Sequence, residues 1–229
     1  MKAKTQLIIV AGGLGTRLKH SEPKALVPLV DSPLLIHTLN AFQSLDLTKD
    51  AIIVYPGGHE SAFAGVLKTD FPDGNLTLVA GGKERYDSVA LGLKKLSPET
   101  EIVLIHDAAR PFIQEQTVRD VLDVAIQFGA ATIAMRCKDT ILQANADGFL
   151  EDTPDRSRLW ACQTPQVFRR EIIEKAYASP KPTTITDDAT LVCQSGVPVH
   201  IVESSHTNLK ITTPNDLQYA EFLITKGLV

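Results

Sequence analysis

Two cations, Arg17 and Lys24, follow a glycine-rich stretch, Ala11-Gly-Gly-Leu-Gly-Thr-Arg17, and here the chain first offers chemistry. Glycines let backbone approach a ligand closely, and successive N–H groups form an anion-binding concavity. Ala11, Gly12, Gly13 and Gly15 supply such backbone, and the Arg17 guanidinium and Lys24 ammonium add two positive charges. Together they suit a triphosphate. Two better-defined phosphate motifs do not fit. A P-loop needs G-x-x-x-x-G-K-[ST], and no Lys-Ser or Lys-Thr follows these glycines at that spacing. A dinucleotide fingerprint needs a third glycine where Leu18 stands. A plain strand-to-helix turn is the competing reading of this segment alone.

Further along, the apolar run Ile102 to Ile105 ends in His106-Asp107-Ala-Ala-Arg110. Asp107 in isolation reads as a cap. Beside a phosphate loop it becomes a candidate Mg²⁺ ligand, because hard cations take carboxylate oxygens together with substrate phosphates. His106 reads either as a base or as a partly buried structural histidine. Arg110 can pair with a carboxylate or reach a ligand phosphate. Glu84-Arg85-Tyr86-Asp87-Ser88 opens a helix, with Glu84 and Asp87 matching its positive end; the functional reading sets Gly82 and Ser88 beside a nucleobase. Asp155-Arg156 and Asn208-Leu-Lys210 add cations, and Thr186-Asp187-Asp188 reads first as a helix cap. G-x-S-x-G and H-E-x-x-H are both absent. Cations outnumber any nucleophile–base pair, which favours direct displacement at phosphorus, where catalysis is positioning and charge stabilisation.

The elements that must position these groups follow an alternation of apolar runs and helix-period segments, the pattern of βαβ units around a mostly parallel sheet. Strands are expected at Gln6–Val10, Ala51–Tyr55, Leu76–Val79, Ile102–Ile105 and Ala130–Met135, with late ones at Val197–Val202 and Leu209–Thr212. Helices are expected after Asp31-Ser32-Pro33, with Pro33 at the first helical position, and at His59–Lys68, Glu84–Leu96, Gln114–Phe128, Arg169–Ala178, from Thr186-Asp187 to Gln194, and at Pro214–Lys226. Ser179-Pro-Lys-Pro-Thr-Thr reads as a loop. Between Lys138 and Trp160 regularity lapses into short alternating stretches, expected to form a hairpin or arm outside the sheet. In an open α/β sheet ligands bind beyond the carboxyl ends of the strands, where the Gly12–Arg17 loop, Gly81-Gly82 and His106-Asp107 converge.

The 229 residues, 44% hydrophobic, suffice for a sizeable core, and are read as a single domain over 1–229. The formal net charge of −4 gives no general pull toward nucleic acid or an anionic membrane, so a phosphate ligand must be met by local cations. Three widely spaced cysteines, Cys137, Cys162 and Cys193, suggest neither a disulfide framework nor a cysteine zinc site and point to a reducing, cytoplasmic setting. The apolar run after Met-Lys-Ala-Lys-Thr-Gln is too short for a signal peptide, and no membrane span is expected.

Taken in order, Ala11-Gly-Gly-Leu-Gly-Thr-Arg17, Pro23-Lys24, Gly82-Lys-Glu-Arg-Tyr-Asp-Ser-Val89, His106-Asp-Ala-Ala-Arg-Pro111, Lys138-Asp-Thr140, Asp155-Arg156, Leu159-Trp160, Gln163-Thr-Pro-Gln166, Ile185-Thr-Asp-Asp188 and Asn208-Leu-Lys-Ile-Thr-Thr-Pro214 span nearly the whole chain. This set resembles the methylerythritol phosphate cytidylyltransferases of the non-mevalonate isoprenoid pathway. The opening alone is also similar to hexose 1-phosphate nucleotidyltransferases, and ribitol 5-phosphate cytidylyltransferases share the loop and Gln-Thr-Pro-Gln; Asp155-Arg-Ser-Arg-Leu-Trp160 looks more like the isoprenoid enzyme. Ala25 stands where the family commonly has Gln, and Lys83 where some members have Asp. The resemblance implies a Rossmann-like nucleotidyltransferase fold with helices on both faces of the sheet and a protruding β-arm. It implies that Arg17 and Lys24 stabilise charge at the α-phosphate of CTP. Ala11, Gly12, Gly13, Gly15, Gly82 and Ser88 would hold the nucleotide, and Asp107 would order Mg²⁺ on the triphosphate. Arg156 and Lys210, with Thr140, Arg110 and Thr186, would hold a polyol phosphate. It further implies a homodimer through the 138–160 arm, with Thr140 and Arg156 completing the partner subunit's site. A non-catalytic nucleotide-binding module on the same fold is the alternative of another class; loss of Arg17, Lys24 or Asp107 would mark it, and all three are present.

Overall fold

The five apolar runs expected as strands up to Met135 become strands, and helices pack back across the sheet they form. The computed structural model describes residues 3–18, 20, 22–180 and 185–229. Residues 181–184 of the expected loop and the first two residues lie outside the described residues. The chain begins with β1 (Thr5–Val10), a short antiparallel pair β2 (Pro28–Leu29) and β3 (Ser32–Pro33), then α1 (Leu34–Gln43), β4 (Ile52–Tyr55), α2 (Glu60–Asp70) and β5 (Thr77–Ala80). It continues through α3 (Arg85–Leu93), β6 (Ile102–Asp107), α4 (Glu115–Phe128) and β7 (Ala130–Arg136). A small hairpin, β8 (Gln143–Ala144) and β9 (Leu150–Asp152), precedes β10 (Trp160–Arg169), α5 (Arg170–Ala178), α6 (Asp188–Gln194), β11 (His200–Glu203) and α7 (Pro214–Thr225).

Among the described residues, seven strands form one sheet in the order β11-β7-β10-β6-β1-β4-β5, parallel throughout except where β10 runs antiparallel between β6 and β7. The α/β class and mostly parallel sheet expected from the sequence are those observed. Strand side chains alternate between faces, and both faces are covered. Leu7, Ile9 and Leu104 pack with Phe42, Phe63 and Val118 from α1, α2 and α4. Ile8, Ile52 and Val103 pack with Val89, Ile173 and Val192 from α3, α5 and α6. Burial on both faces is why β1 and β6 read as unbroken apolar runs rather than alternating ones.

The structure departs from the sequence reading at four places. Asp31 and Ser32 do not cap α1. Val30, at φ 58°, turns the chain so that Ser32-Pro33 pairs back on Pro28-Leu29, and α1 starts at Leu34 without a side-chain cap. The strand expected at Val197–Val202 starts only at His200. Leu209–Thr212 is not a strand; its apolar alternation is used to bury Ile211 against Leu29, Leu34 and Leu223. Finally, β10 had no sequence signal of its own, because Gln163-Thr-Pro-Gln166 interrupts it with a shift of register between Cys162 and Gln166.

Candidate functional site

Strand register assembles the site. β1 and β6 pair Val10 with Asp107, so the glycine loop and the carboxylate leave the sheet side by side. The ladder runs one residue past the strand ends: Ala11 N–H donates to the Val54 carbonyl at 2.8 Å, and Ala108 N–H to Val10 at 3.0 Å. Gly81 N–H likewise donates to the Tyr55 carbonyl at 2.7 Å. A cavity of about 300 Å³ opens beyond these ends. Ala11, Gly12, Gly13, Arg17 and Lys24 line one side; Gly82, Ser88, Asp107 and Lys210 line the others. Nine of the residues singled out from the sequence therefore meet in one place.

One glycine on each side of the cavity shapes its wall. Gly15 has φ +71°, a region that favours glycine, and a Cβ there would lie 3.1 Å from the Lys24 Cβ. It does not line the cavity; it folds the loop back so that Lys24 N–H donates to the Gly13 carbonyl at 3.1 Å. A Cβ on Gly82 would collide with the Asp87 Cβ, and Gly82 N–H donates to Ser88 Oγ at 3.2 Å.

Asp107 is the electrostatic centre. Arg85 Nε donates to its Oδ1 at 3.2 Å and Lys210 Nζ to its Oδ2 at 2.6 Å. Burial alone would raise its pKa; Arg85 and Lys210 outweigh burial and hold the carboxyl well below the usual range. Lys24 is pushed down to about 8, first by burial and then by Lys210. His106 is pushed down to about 4 by burial. Its neighbours also fix its tautomer. The Arg110 carbonyl can only accept, so His106 Nε2–H donates to it at 3.0 Å; in the neutral ring Nδ1 then accepts from the Thr164 hydroxyl at 3.1 Å, while Thr164 Oγ1 accepts from Asp107 N–H at 3.0 Å. Of the two readings of His106, the structure selects the structural one: a neutral ring locked beneath the site.

A second cavity of about 200 Å³ adjoins the first, with Arg85, Asp107 and Lys210 lining both. Arg110, Thr164, Thr186 and Asp187 are among the other residues that line it. Arg110 Nη1 donates to the Asn208 carbonyl at 2.8 Å, and Asn208 donates to Gln163 Oε1 at 2.9 Å, which ties the Lys210 segment to β10. Asp187 caps α6, as expected, by accepting from Thr190 N–H at 2.9 Å. Thr140 and Arg156 line neither cavity. Both lie in the exposed 138–160 segment, where Arg156 Nη1 donates to the Lys138 carbonyl at 2.9 Å.

Among the described residues no three His, Cys, Asp or Glu side chains converge as a metal cluster. Mg²⁺ demands about six oxygens; of the carboxylates lining the two cavities, Glu84, Asp107 and Asp187, Asp107 has both oxygens engaged by cations and Asp187 caps α6. This donor set suits a cation arriving on a triphosphate rather than one held beforehand. Sequence reasoning missed Arg85 and Thr164 as members of the site. Both stood inside quoted motifs, but an arginine at a helix start and a threonine before proline carry no signal that they meet Asp107.

The sequence model of the family described as "IspD: 2-C-methyl-D-erythritol 4-phosphate cytidylyltransferase" matches residues 5–226. The chain is 40% identical to the 2-C-methyl-D-erythritol 4-phosphate cytidylyltransferase of Syntrophus aciditrophicus, over 99% of this chain and 98% of that protein. It is 41% identical to the protein of the same name from Geobacillus kaustophilus, over 97% and 98%. Among solved structures, 4-diphosphocytidyl-2C-methyl-D-erythritol synthase from Anaerococcus prevotii superposes with a TM-score of 0.84 at 28% identity, covering 97% of this chain and 99% of that one. The cytidylyltransferase from Thermus thermophilus gives 0.77 at 31% identity, covering 98% and 100%.

Proposed function

We propose, from the premise that this chain belongs to the 2-C-methyl-D-erythritol 4-phosphate cytidylyltransferase family, that it transfers the cytidylyl group of CTP to 2-C-methyl-D-erythritol 4-phosphate and releases pyrophosphate. The observation that carries the reading is the pair of adjoining cavities sharing Asp107 and Lys210: one is framed by the glycine loop, Arg17 and Lys24, the other by Arg110 and Thr186.

In this reading the triphosphate lies in the larger cavity. Backbone of Ala11, Gly12 and Gly13 approaches it, the loop is shaped by Gly15, and Gly82 and Ser88 stand at the base. The polyol phosphate enters from the smaller cavity, held by Lys210, Arg110 and Thr186, and one of its phosphate oxygens attacks the α-phosphorus in line. The bond to the pyrophosphate oxygen breaks, and pyrophosphate leaves. The nucleophile is already an anion, so no general base is required, consistent with a neutral, buried His106. Arg17 and Lys24 stabilise the charge that develops at the α-phosphate. Mg²⁺, with Asp107 as its protein ligand, would neutralise phosphate charge when bound with CTP. Thr140 and Arg156 serve the polyol phosphate site of a partner subunit in a homodimer. Support for that assembly is the arm's exposed apolar surface: Ile141, Leu142, Phe149 and Leu150 all face solvent in the single chain. A cytoplasmic setting fits these substrates; among the described residues no helix is long and apolar enough to cross a membrane.

Pyrophosphate release with CTP and Mg²⁺, in the presence of either methylerythritol phosphate or ribitol 5-phosphate, tests the reading. Release with the first and little with the second is expected. Release only with ribitol phosphate, or none with either, refutes it.

A further inference from the structure

Asp107 is held in place from behind. Arg85 donates to its Oδ1, and the same guanidinium turns its Nη2 to Asp188 Oδ2 at 2.8 Å. Asp188 is only 1% exposed, and its other oxygen accepts from the Tyr177 hydroxyl at 2.5 Å. The Tyr177 ring stacks on Tyr86, the residue after Arg85, with centroids 4.6 Å apart. Nη2 of Arg85 and Oδ2 of Asp188 are buried and have no hydrogen-bond partner beyond this ion pair. Burial would lower the pKa of Arg85; Asp188 and then Asp107 raise it above its ordinary value. The guanidinium is thus a planar fork clamped between two carboxylates, a task a lysine's single ammonium cannot do.

From this geometry we infer that Asp188 and Tyr177, acting through Arg85, are positioning residues for Asp107 and so for the cations on both sides of the reacting phosphorus. The inference rests on the cytidylyltransferase reading above. Asp107 lies among Lys24, Arg110 and Lys210, each of which attracts it. Without Arg85, Lys210 alone would hold Oδ2, and Oδ1 would be free to turn toward Lys24 and compete with the nucleotide for that ammonium. Arg85 prevents this because Asp188 leaves it one orientation. The chain of contacts also ties the start of α6 to the site: Asp188 begins α6, and its neighbour Ala189 donates its N–H to Gln166 Oε1 at 2.8 Å.

Asp188→Asn keeps the side-chain shape and removes the charge, and Tyr177→Phe keeps the ring stack and removes the hydroxyl. Misplacing a reacting group by about 1 Å can cost about a hundredfold; for Asp188→Asn a fall in kcat of about tenfold is expected, with KM for CTP within about twofold, and for Tyr177→Phe about threefold. The decisive measurement is a double-mutant cycle in single turnover with enzyme in excess. If Asp188 acts through Asp107, adding Asp188→Asn to Asp107→Asn costs less than about twofold. An equal loss in both backgrounds, or kcat within about twofold of the unsubstituted chain for Asp188→Asn, overturns the inference. Lack of turnover by the unsubstituted chain would instead refute the functional reading, so the two failures are told apart.

Discussion

At the heart of the larger cavity a carboxylate is packed into the protein: Asp107 is 6% exposed, with Arg85 and Lys210 within 3.2 Å of its oxygens. Along the 138–160 arm the opposite holds. Phe149 is 69% exposed, Leu150 63% and Leu142 61%, and the cations Arg156 and Arg158 stand in solvent. The hydrogen bonds of the hairpin are local, as between Asn145 and Phe149, and the root is tied by Cys137 N–H to the Leu159 carbonyl. The cavity is preorganised within one chain by strand register. The arm has a defined backbone but exposes apolar surface that only another body could bury. On the reading proposed above, the cavity brings its cations together within one chain, whereas Thr140 and Arg156 of the arm serve a site only when two copies assemble.

The largest effect should come from the cavity. Lys24→Ala should cost about 2.7–4 kcal/mol of transition-state stabilisation, the range of a lost oxyanion donor, read as kcat in the pyrophosphate assay. Arg156→Ala should also impair turnover, but in a way that can be repaired. If the arm serves the neighbour's site, co-expressing the Lys24→Ala and Arg156→Ala chains yields hybrid dimers with one intact site, and about a quarter of native activity returns. If the arm serves its own chain, no hybrid site has both residues and nothing returns. Recovery thus sharpens the contrast between the two regions, and its absence breaks it.

A smaller effect concerns the charge of Lys24. Its pKa in the free protein is lowered to about 8. The protonated form is the useful one, so kcat/KM for CTP should fall as pH rises through about 8, and Lys24→Arg should remove that limb. The same shift has a stability sign. The unfolded chain holds the Lys24 proton more tightly than the folded one, so the unliganded protein gains stability from this group as pH rises from about 8 toward about 10.5. Denaturant unfolding at pH 7.5 and 10, with and without Lys24→Met, measures it; a shift of the opposite sign would show that Lys24 is paired rather than merely buried.

Much of this was legible in the chain because the relevant signals are local. Leu7 to Val10 and Ile102 to Ile105 are apolar on both faces, so the strands and their ends could be placed, and Asp107 with them. Arg17, Lys24 and Gly82 are expected at the same end of the sheet, with Ser88 beside Gly82, and Lys210 joins them only through the family resemblance; all five line the cavity. What was not legible is long-range. Arg85 reaches Asp188 across 103 positions of sequence, and Thr164 reaches His106 across 58. No spacing rule encodes such pairs; they exist because β10 inserts antiparallel between β6 and β7. The false strand at Leu209–Thr212 failed for a related reason. Its alternation was real, but the apolar partner was a helix-lined cluster rather than a sheet.

The smallest effect tests the arm against the core by the same chemistry. Phe149 and Phe168 are both phenylalanines, 69% and 0% exposed. Phe168→Ala, in the sheet's core, should destabilise folding by about 3–5 kcal/mol. Phe149→Ala removes a ring that touches little in its own chain, so unfolding of the separated chain should change by no more than about 0.5 kcal/mol. The ring's value should appear only on assembly, as a sedimentation profile shifted toward the single chain at equal concentration. A Phe149→Ala chain that loses stability when separated would mean that the arm packs on its own body. One that assembles unchanged would mean that the exposed apolar face of the hairpin is not what joins two copies.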